Sequence, residues 1–386
     1  MYQQVKLDEV CVRKIETISS DENGLIDYFD IASVDNTKKK IISHQSLKVK
    51  EASSRAKQIV QLNDILVSTV RPNLNAIAMI DNKTKNKMVA STGFCVLRAS
   101  EKIEPRYLFY FVQSPTFINS MTAQATGASY PAVSNSIVKS SHIPLPDLPT
   151  QRRIADTLDK VSEGIEVCRR MMGELDLMVK AKFGEMFGAL GEDKFNWGMT
   201  TLGVCCELNP KRPRDIPDDM DVSFVAMPSV TEKGQIDTSV IKPYLEVRKG
   251  FTYFAENDVL FAKITPCMEN GKGCVAKGLT NAIGAGSTEF HVLRPIHGKS
   301  NPYWLYYLTV IPGFRENARK VMTGTGGQLR VPIAYLDNLP VSLPPIELQE
   351  QFATFVSKID KSRLTIQQVL SKIELEQKVL MQKYFG

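Results

Sequence analysis

The chain has 386 residues, 43% of them hydrophobic and 23% charged, and carries a net charge of +6. That length suits two or three domains, each able to bury a core, and no stretch approaches the roughly 20 apolar residues that span a bilayer. The start, MYQQVKLDEV, lacks the basic head and apolar core of a secretory signal. The seven cysteines are scattered, apart from Cys205-Cys206, in no ligand spacing, which points to reduced thiols in a cytoplasm.

In chain order, residues 6–12 read as an opening strand. Residues 29–34, 64–70, 76–80 and 94–97 are short apolar runs rich in β-branched side chains, as strands are. Residues 107–113 and 117–123 read as short helices broken at Pro115. The prolines of Ile143-Pro-Leu-Pro-Asp-Leu-Pro149 cannot continue a strand ladder and bias their neighbours to extended backbone, so a short stiff hinge is expected there. Residues 150–188 then read as one long helix. Its apolar side chains Ile154, Leu158, Val161, Ile165, Cys168, Met172, Leu175, Val179 and Met186 alternate steps of 3 and 4, with Lys182 as the polar exception.

The second half follows the same plan. Residues 201–208, 224–230, 259–264 and 290–293 read as strands, and 303–309 and 312–321 as helices broken at Pro312. Leu339-Pro-Val-Ser-Leu-Pro-Pro345 is the second proline-rich exit. A second long helix covers 348–386, with Phe352, Val356, Ile359, Ile366, Leu370, Ile373, Leu380 and Tyr384 in one stripe, interrupted by Arg363 and Gln377. A sustained 3.5-residue repeat supercoils two helices around each other. Each stripe lacks a partner of its own, so the two helices, each roughly 55 Å long at 1.5 Å per residue, are expected to pair as a coiled coil.

The halves are copies. Residues 150–188 align without a gap on 348–386. Asp64-Ile-Leu-Val-Ser-Thr-Val-Arg-Pro72 matches Asp258-Val-Leu-Phe-Ala-Lys-Ile-Thr-Pro266. Ser91-Thr-Gly-Phe-Cys-Val-Leu-Arg98 matches Ser287-Thr-Glu-Phe-His-Val-Leu-Arg294, and Ala125-Thr-Gly-Ala-Ser129 matches Gly324-Thr-Gly-Gly-Gln328. A unit this long is no solenoid repeat of about 20–50 residues. The expected class is α+β: globular domains at 1–149 and 195–347, helices at 150–188 and 348–386, and pseudo-twofold symmetry.

Catalytic motifs are missing. The four histidines form no HxxxH or HExxH pattern and join no CxxC, so no metal site is expected. Gly271-Lys-Gly-Cys-Val-Ala276 has the loose dinucleotide pattern without its βαβ unit and reads as a tight turn. Asn301-Pro-Tyr-Trp304 reads as a helix start. No cofactor is implied. Binding chemistry is present instead, in turn-like stretches. In the first half these hold Lys38, Lys39, Lys40, Arg55, Arg71, Asn73, Asn75, Ser129 and Tyr130. In the second they hold Lys211, Arg212, Arg214, Lys263, Thr265, Lys272, Arg319, Lys320, Thr325, Gln328 and Arg330. Cations neutralise phosphates, while Arg, Asn, Gln, Ser and Thr can read base edges. The positions recur in both halves but the residues differ, as in two modules that recognise different things. An enzyme with duplicated lobes and a coiled-coil scaffold without nucleic acid remain the rival readings.

The doubled motifs and the exits Gln151-Arg-Arg-Ile-Ala155 and Gln349-Glu-Gln-Phe-Ala353 resemble those of the specificity subunits of type I restriction–modification systems, over essentially the whole chain. That resemblance implies a non-catalytic subunit with two target-recognition domains, each reading half of a split site in double-stranded DNA. It implies two antiparallel spacer helices on which methyltransferase subunits, two of them, dock. It also implies motor-nuclease subunits in the larger complex, no membrane partner and a cytoplasmic location. A specificity chain of a related restriction or modification system would share the fold and the DNA role.

Overall fold

The computed structural model describes residues 2–19 and 21–386. The chain forms two compact units, Met1–Arg169 with Gln367–Gly386, and Arg170–Ile366. Two 40-residue helices, Leu148–Phe187 and Ile346–Phe385, are each divided between the units. The class is mixed α and β, as expected.

In the first unit, a four-stranded sheet runs in the order Gln45–Lys48, Leu25–Phe29, Lys87–Ser91, Ala56–Ile59, with its central pair parallel and its outer pairs antiparallel. An antiparallel sheet of Phe94–Leu97, Ile65–Ser68 and Ile77–Met79 packs against it. Successive strand side chains point to opposite faces, so the continuous apolar run Ile65-Leu66-Val67 serves two cores. Ile65 and Val67 meet Tyr107, Phe111 and Phe117 of the helices Pro105–Phe111 and Pro115–Gln124. Leu66 meets Phe29, Ala90 and Val96.

The second unit repeats the plan. Its first sheet is ordered Ile241–Pro243, Asp221–Val225, Ile283–Gly286, Thr252–Ala255, again with a parallel central pair. Its second is ordered Cys206–Leu208, Phe290–Pro295, Val259–Ala262, Gly273–Val275. Val259 and Phe261 face the core shared with Trp304 and Phe314, while Leu260 and Ala262 face the other. Pro302 and Pro312 open the helices Pro302–Val310 and Pro312–Lys320. The side chain of Asn301 accepts the N–H of Tyr303 at 2.9 Å, so this motif is a helix start.

The doubled sequence motifs have a physical cause. Buried Asp64 takes a two-pronged bond from Arg98, at 2.8 and 2.7 Å, and buried Asp258 takes the same from Arg294, at 2.8 and 2.7 Å. Each carboxylate also accepts a main-chain N–H, from Gln61 and from Ala255. A carboxylate stripped of water needs this many donors. The Asp opening one motif and the Arg closing the next are therefore one feature.

Three local expectations are corrected. Residues 29–34 and 224–230, expected as strands, each hold a 3-10 turn, Ile31–Ser33 and Met227–Ser229, after strands that end at Phe29 and Val225. The expected opening strands are each split: Gln4–Lys6 is followed by a helical turn at Leu7–Val10, and Met199–Thr201 by one at Leu202–Cys205. Leu7 with Val10, and Leu202 with Cys205, are buried pairs three residues apart, a helical rather than an alternating spacing. The proline-rich exits, expected as short stiff hinges outside any strand ladder, do join one. His142–Pro144 pairs with Gln4–Lys6, and Pro340–Ser342 with Met199–Thr201. Pro144 and Pro340 sit at strand ends, where a missing N–H is tolerated.

Within each unit the two long helices run antiparallel. In the first, Ile154 and Leu158 share a core with Met381 and Phe385, Gln377 donates to the Ser162 hydroxyl at 3.1 Å, and Arg169 pairs with Glu374 at 2.8 Å. In the second, the Phe183 and Phe187 rings each lie 5.4 Å from that of Phe352, in a core with Val356 and Ile359, and Arg363 binds Asp176 at 2.6 Å. Arg363 and Gln377, the polar interruptions of the stripe, are thus cross-helix ties. Ile165 and Leu370 are buried as expected; Val161, Met172, Leu175, Ile366 and Ile373 are half-buried. Near the helix ends, Phe183 and Phe187 replace Met186 in the buried stripe, and Met381 and Phe385 replace Leu380 and Tyr384. A straight α-helix drifts about 20° per heptad against a strict 3.5 repeat, which moves the buried face by a residue.

One side chain fastens each globule to its helix. Gln151 is fully buried; its carbonyl accepts the Glu104 N–H at 2.8 Å and its amide donates to the carbonyls of Lys102 and Pro146. Gln349 does the same with the Asn301 N–H and the carbonyls of Lys299 and Pro344. Gln349→Leu leaves these three main-chain groups buried without partners. It is expected to destabilise the chain by about 1–3 kcal/mol, read as a lowered urea midpoint with an unchanged slope.

Candidate nucleic-acid interface

In the first unit the strand Ile65–Ser68 runs out into a sharp turn. Arg71 takes a left-handed conformation (φ 49°), the 3-10 turn Pro72–Leu74 follows, and Asn75 is left-handed again (φ 48°). Left-handed backbone is unfavourable for residues with a Cβ, so neighbours must hold it. Val70 bridges to Ala132, and the Arg71 N–H donates to the Pro131 carbonyl at 2.7 Å. This brings the loop carrying Ser129 and Tyr130 onto the turn; the Arg71 guanidinium lies 4.7 Å from the centre of the Tyr130 ring. The hairpin Val34–Asp35/Lys40–Ile41 supports the turn from another side: Lys39 Nζ donates to the Asn75 carbonyl at 2.5 Å.

The structure therefore gathers Arg71, Asn73, Asn75, Ser129, Tyr130 and Lys39. Asn73, Ser129 and Tyr130 are exposed, whereas Asn75 turns its Oδ1 into the protein, buried and without a hydrogen-bond partner among the described residues. Lys38 is exposed beside Asp35, and Lys40 is paired with Glu166 on the long helix. Arg55 is one turn removed: its carbonyl accepts the Thr92 N–H, and Gly93 next to it accepts from Thr69.

In the second unit the equivalent turn begins at Thr265. Its N–H donates to the Leu329 carbonyl at 2.9 Å, and its hydroxyl donates to the Gly327 carbonyl at 2.7 Å while accepting the Leu329 N–H. The partner is a hairpin, Thr323–Thr325 with Gln328–Arg330, closed by Gly326 and Gly327 at positive φ, as a two-residue turn requires. A Cβ at Gly324 would lie 2.3 Å from the Gln328 carbonyl oxygen. Thr325 and Gln328 are exposed on this hairpin. Arg330 is held by both oxygens of Glu289, at 2.9 and 2.8 Å.

Lys263 lies behind them. Burial pushes its ammonium below the usual range, against the pull of Glu289. His291 is buried and likewise pushed down by desolvation, so it is neutral at pH 7. Its Nε2 lies 2.8 Å from the Val331 carbonyl and its Nδ1 3.2 Å from the Asn209 amide; the first must donate and the second accept. Asn209, Arg212, Tyr253, Lys263 and Phe290 line an open cleft of about 320 Å³. Lys211 and Arg214 flank Arg212 in exposed chain. Lys272 donates to the Met227 carbonyl, Arg319 pairs with Glu269 at 3.0 Å, and Lys320 is exposed.

Sequence reasoning did not single out Glu289, His291, Asn209, Tyr253 or Arg315. Half-buried Arg315 holds the Met268 carbonyl at 2.6 Å, fixing the turn after Thr265. A signal for Glu289 and His291 was visible: they replace Gly93 and Cys95 within an otherwise matched motif. Among the described residues no group of three or more His, Cys, Asp or Glu is placed to hold a metal ion, and no helix is long and apolar enough to cross a membrane. Burial pushes the thiols of Cys11, Cys95 and Cys274 up to about 12, so they stay protonated and unreactive.

The family described as the type I restriction modification DNA specificity domain matches the chain twice, over residues 1–171 and 196–377. The chain belongs to this specificity family. It is 38% identical over 192 residues to the EcoAI specificity subunit of Escherichia coli, a match covering 48% of the chain and 31% of that protein. It is 38% identical over 166 residues to the EcoEI specificity subunit of the same species, covering 42% and 27%. The chain thus spans less than a third of either relative. Among solved structures, a chain from a study of type I R-M complex assembly and conformational transition has a TM-score of 0.61 at 24% identity, covering 100% of this chain and 97% of that one. The S subunit from M. genitalium has a TM-score of 0.54 at 14% identity, covering 100% and 96%. These two likenesses concern the fold.

The support of the Arg71–Asn75 turn carries a pH signature. Burial lowers the Lys39 ammonium to about 8, against the opposing pull of Asp35, whereas an unfolded lysine titrates near 10.4. Between these values the unfolded chain binds more protons, so stability rises as pH climbs through the window from about 8 to 10.4. Thermal melts over that range are expected to show the rise, and Lys39→Met to flatten it.

Proposed function

We propose that this specificity-family chain is the non-catalytic DNA-reading subunit of a type I restriction–modification complex, with each unit reading one half of a bipartite site in double-stranded DNA. The observation that carries the proposal is the pairing of a shared scaffold with unlike contact residues. Equivalent strands end in equivalent turns, each joined by a loop from the same place in the chain, yet Arg71 stands where the second unit has Thr265. The net charge of +6 suits a polyanion, and the gathered Arg, Asn, Gln, Ser and Thr side chains suit groove edges.

The two long helices form the spacer, pairing as an antiparallel coiled coil with pseudo-twofold symmetry. Supporting this are the antiparallel contacts within each unit, the matched 40-residue lengths and the cross-helix ties at Gln377 and Arg363. Outward-facing apolar side chains on the helices, Met171, Leu177, Met178 and Leu364 in the second unit and Val369, Leu375 and Val379 in the first, are 43–68% exposed. Exposed apolar positions of this kind suit protein partners. They are the docking places for two methyltransferase subunits, with motor-nuclease subunits joining the larger assembly. The work of such a complex is in the cytoplasm, where the DNA is.

A spacer of fixed length demands half-sites at a fixed separation, about 34–36 Å for one turn of duplex. Deleting one turn, about four residues, from both helices at facing positions is expected to shorten the DNA spacer in the methylation motif of cells carrying the chain and its partners. An unchanged spacer rejects the ruler. DNA affinity that falls steeply with salt is expected of the intact complex; a scaffold without nucleic-acid contacts gives none.

A further inference from the structure

We propose that Arg71 reads a guanine in the half-site taken by the first unit, with Tyr130 holding its guanidinium ready. The proposal rests on the reading of this unit as a DNA-recognition module and names the base that it selects. Arg71 is exposed and makes no ion pair among the described residues. Arg98, Arg106, Arg319 and Arg330, by contrast, are each engaged by a carboxylate.

Its free end is nonetheless restrained. The guanidinium lies 4.7 Å from the Tyr130 ring centre, close enough for the ring's negative face to hold it. The other end is fixed by the left-handed backbone at φ 49°, by Pro72 and by the main-chain bond to Pro131. A restrained guanidinium offers two parallel N–H donors. In the major groove only guanine presents two adjacent acceptors, O6 and N7; adenine pairs an acceptor with a donor, thymine an acceptor with a methyl, and cytosine shows a donor.

A phosphate also accepts two bonds from arginine, but the surroundings of Arg71 favour a base edge. Leu74 is 48% and Tyr130 69% exposed beside it, with Asn73 and Ser129 completing the rim. The nearby ammonium of Lys39 is turned onto the Asn75 carbonyl. An apolar and amide surface suits the floor of a groove better than the charged strands at its edges.

The test uses the chain assembled with its methyltransferase partners, on duplexes carrying the wild-type motif and its single-base variants. Arg71→Ala is expected to erase about 5- to 150-fold discrimination at one guanine and to leave the other half-site unchanged. Tyr130→Leu weakens discrimination at the same position, and Tyr130→Phe keeps it. Uniform loss of affinity on all sequences, with the salt slope reduced by about one, overturns the proposal in favour of a phosphate contact. Unchanged discrimination, or an affected half-site without guanine, also overturns it. These results leave the bipartite reading standing. A wild-type complex with no bipartite motif overturns both.

Discussion

Each globule is tied to its long helix by one buried amide, and the rest of the structure is arranged around that tie. Gln151 and Gln349 each satisfy two carbonyls and one N–H of the main chain. Only an amide supplies both donors and an acceptor at that reach. A carboxylate cannot donate, and a hydrocarbon would leave all three groups unsatisfied. The bonds join the first turn of the helix to the loop ahead of the helix pair and to the proline-rich exit. The paired exit strand then fixes the beginning of the globule as well.

On that common frame the two units have diverged where they face outward. Conserved within the molecule are the Asp–Arg pair, the parallel strand pair and the helix hairpin. Changed are the turn residues and the chemistry that immobilises them. The first unit holds its turn with a stacked tyrosine and a lysine from a separate hairpin. The second uses a glycine-closed hairpin, a threonine bonded through both its hydroxyl and its N–H, and a glutamate that locks Arg330. A rigid support beneath variable contact residues lets one fold read different partners without refolding.

Much of this was legible in the sequence because it depends on periodicity and punctuation. The long helices showed in their 3-and-4 spacing, the short ones in prolines at their first turns, and the doubling in matched strings. The split opening strands were less legible, because Leu7 with Val10 and Leu202 with Cys205 announce a helical turn by one interval only. The parallel pairing of Leu25–Phe29 with Lys87–Ser91 joins segments far apart in the chain, which no local pattern encodes. The turns after Val70 and Ile264 were found as basic and amide clusters, but which cation is free and which is bound depends on distant residues. Glu289 silences Arg330 from the turn ahead of the strand Phe290–Pro295, and Glu269 engages Arg319 of the helix Pro312–Lys320 from a distant turn.

The division of the last helix has a consequence for biosynthesis. Tyr107, Phe111 and Leu158 share a core with Met381 and Phe385, so the first unit to leave the ribosome is completed only by residues that follow the whole second unit. Until then it carries an uncovered aromatic face, and closing so distant a contact is slow. Nascent chains therefore pass through a sticky stage as long as the synthesis of the whole second unit. Chaperones, or a partner protein lent to that face, have their strongest claim on the molecule in that interval.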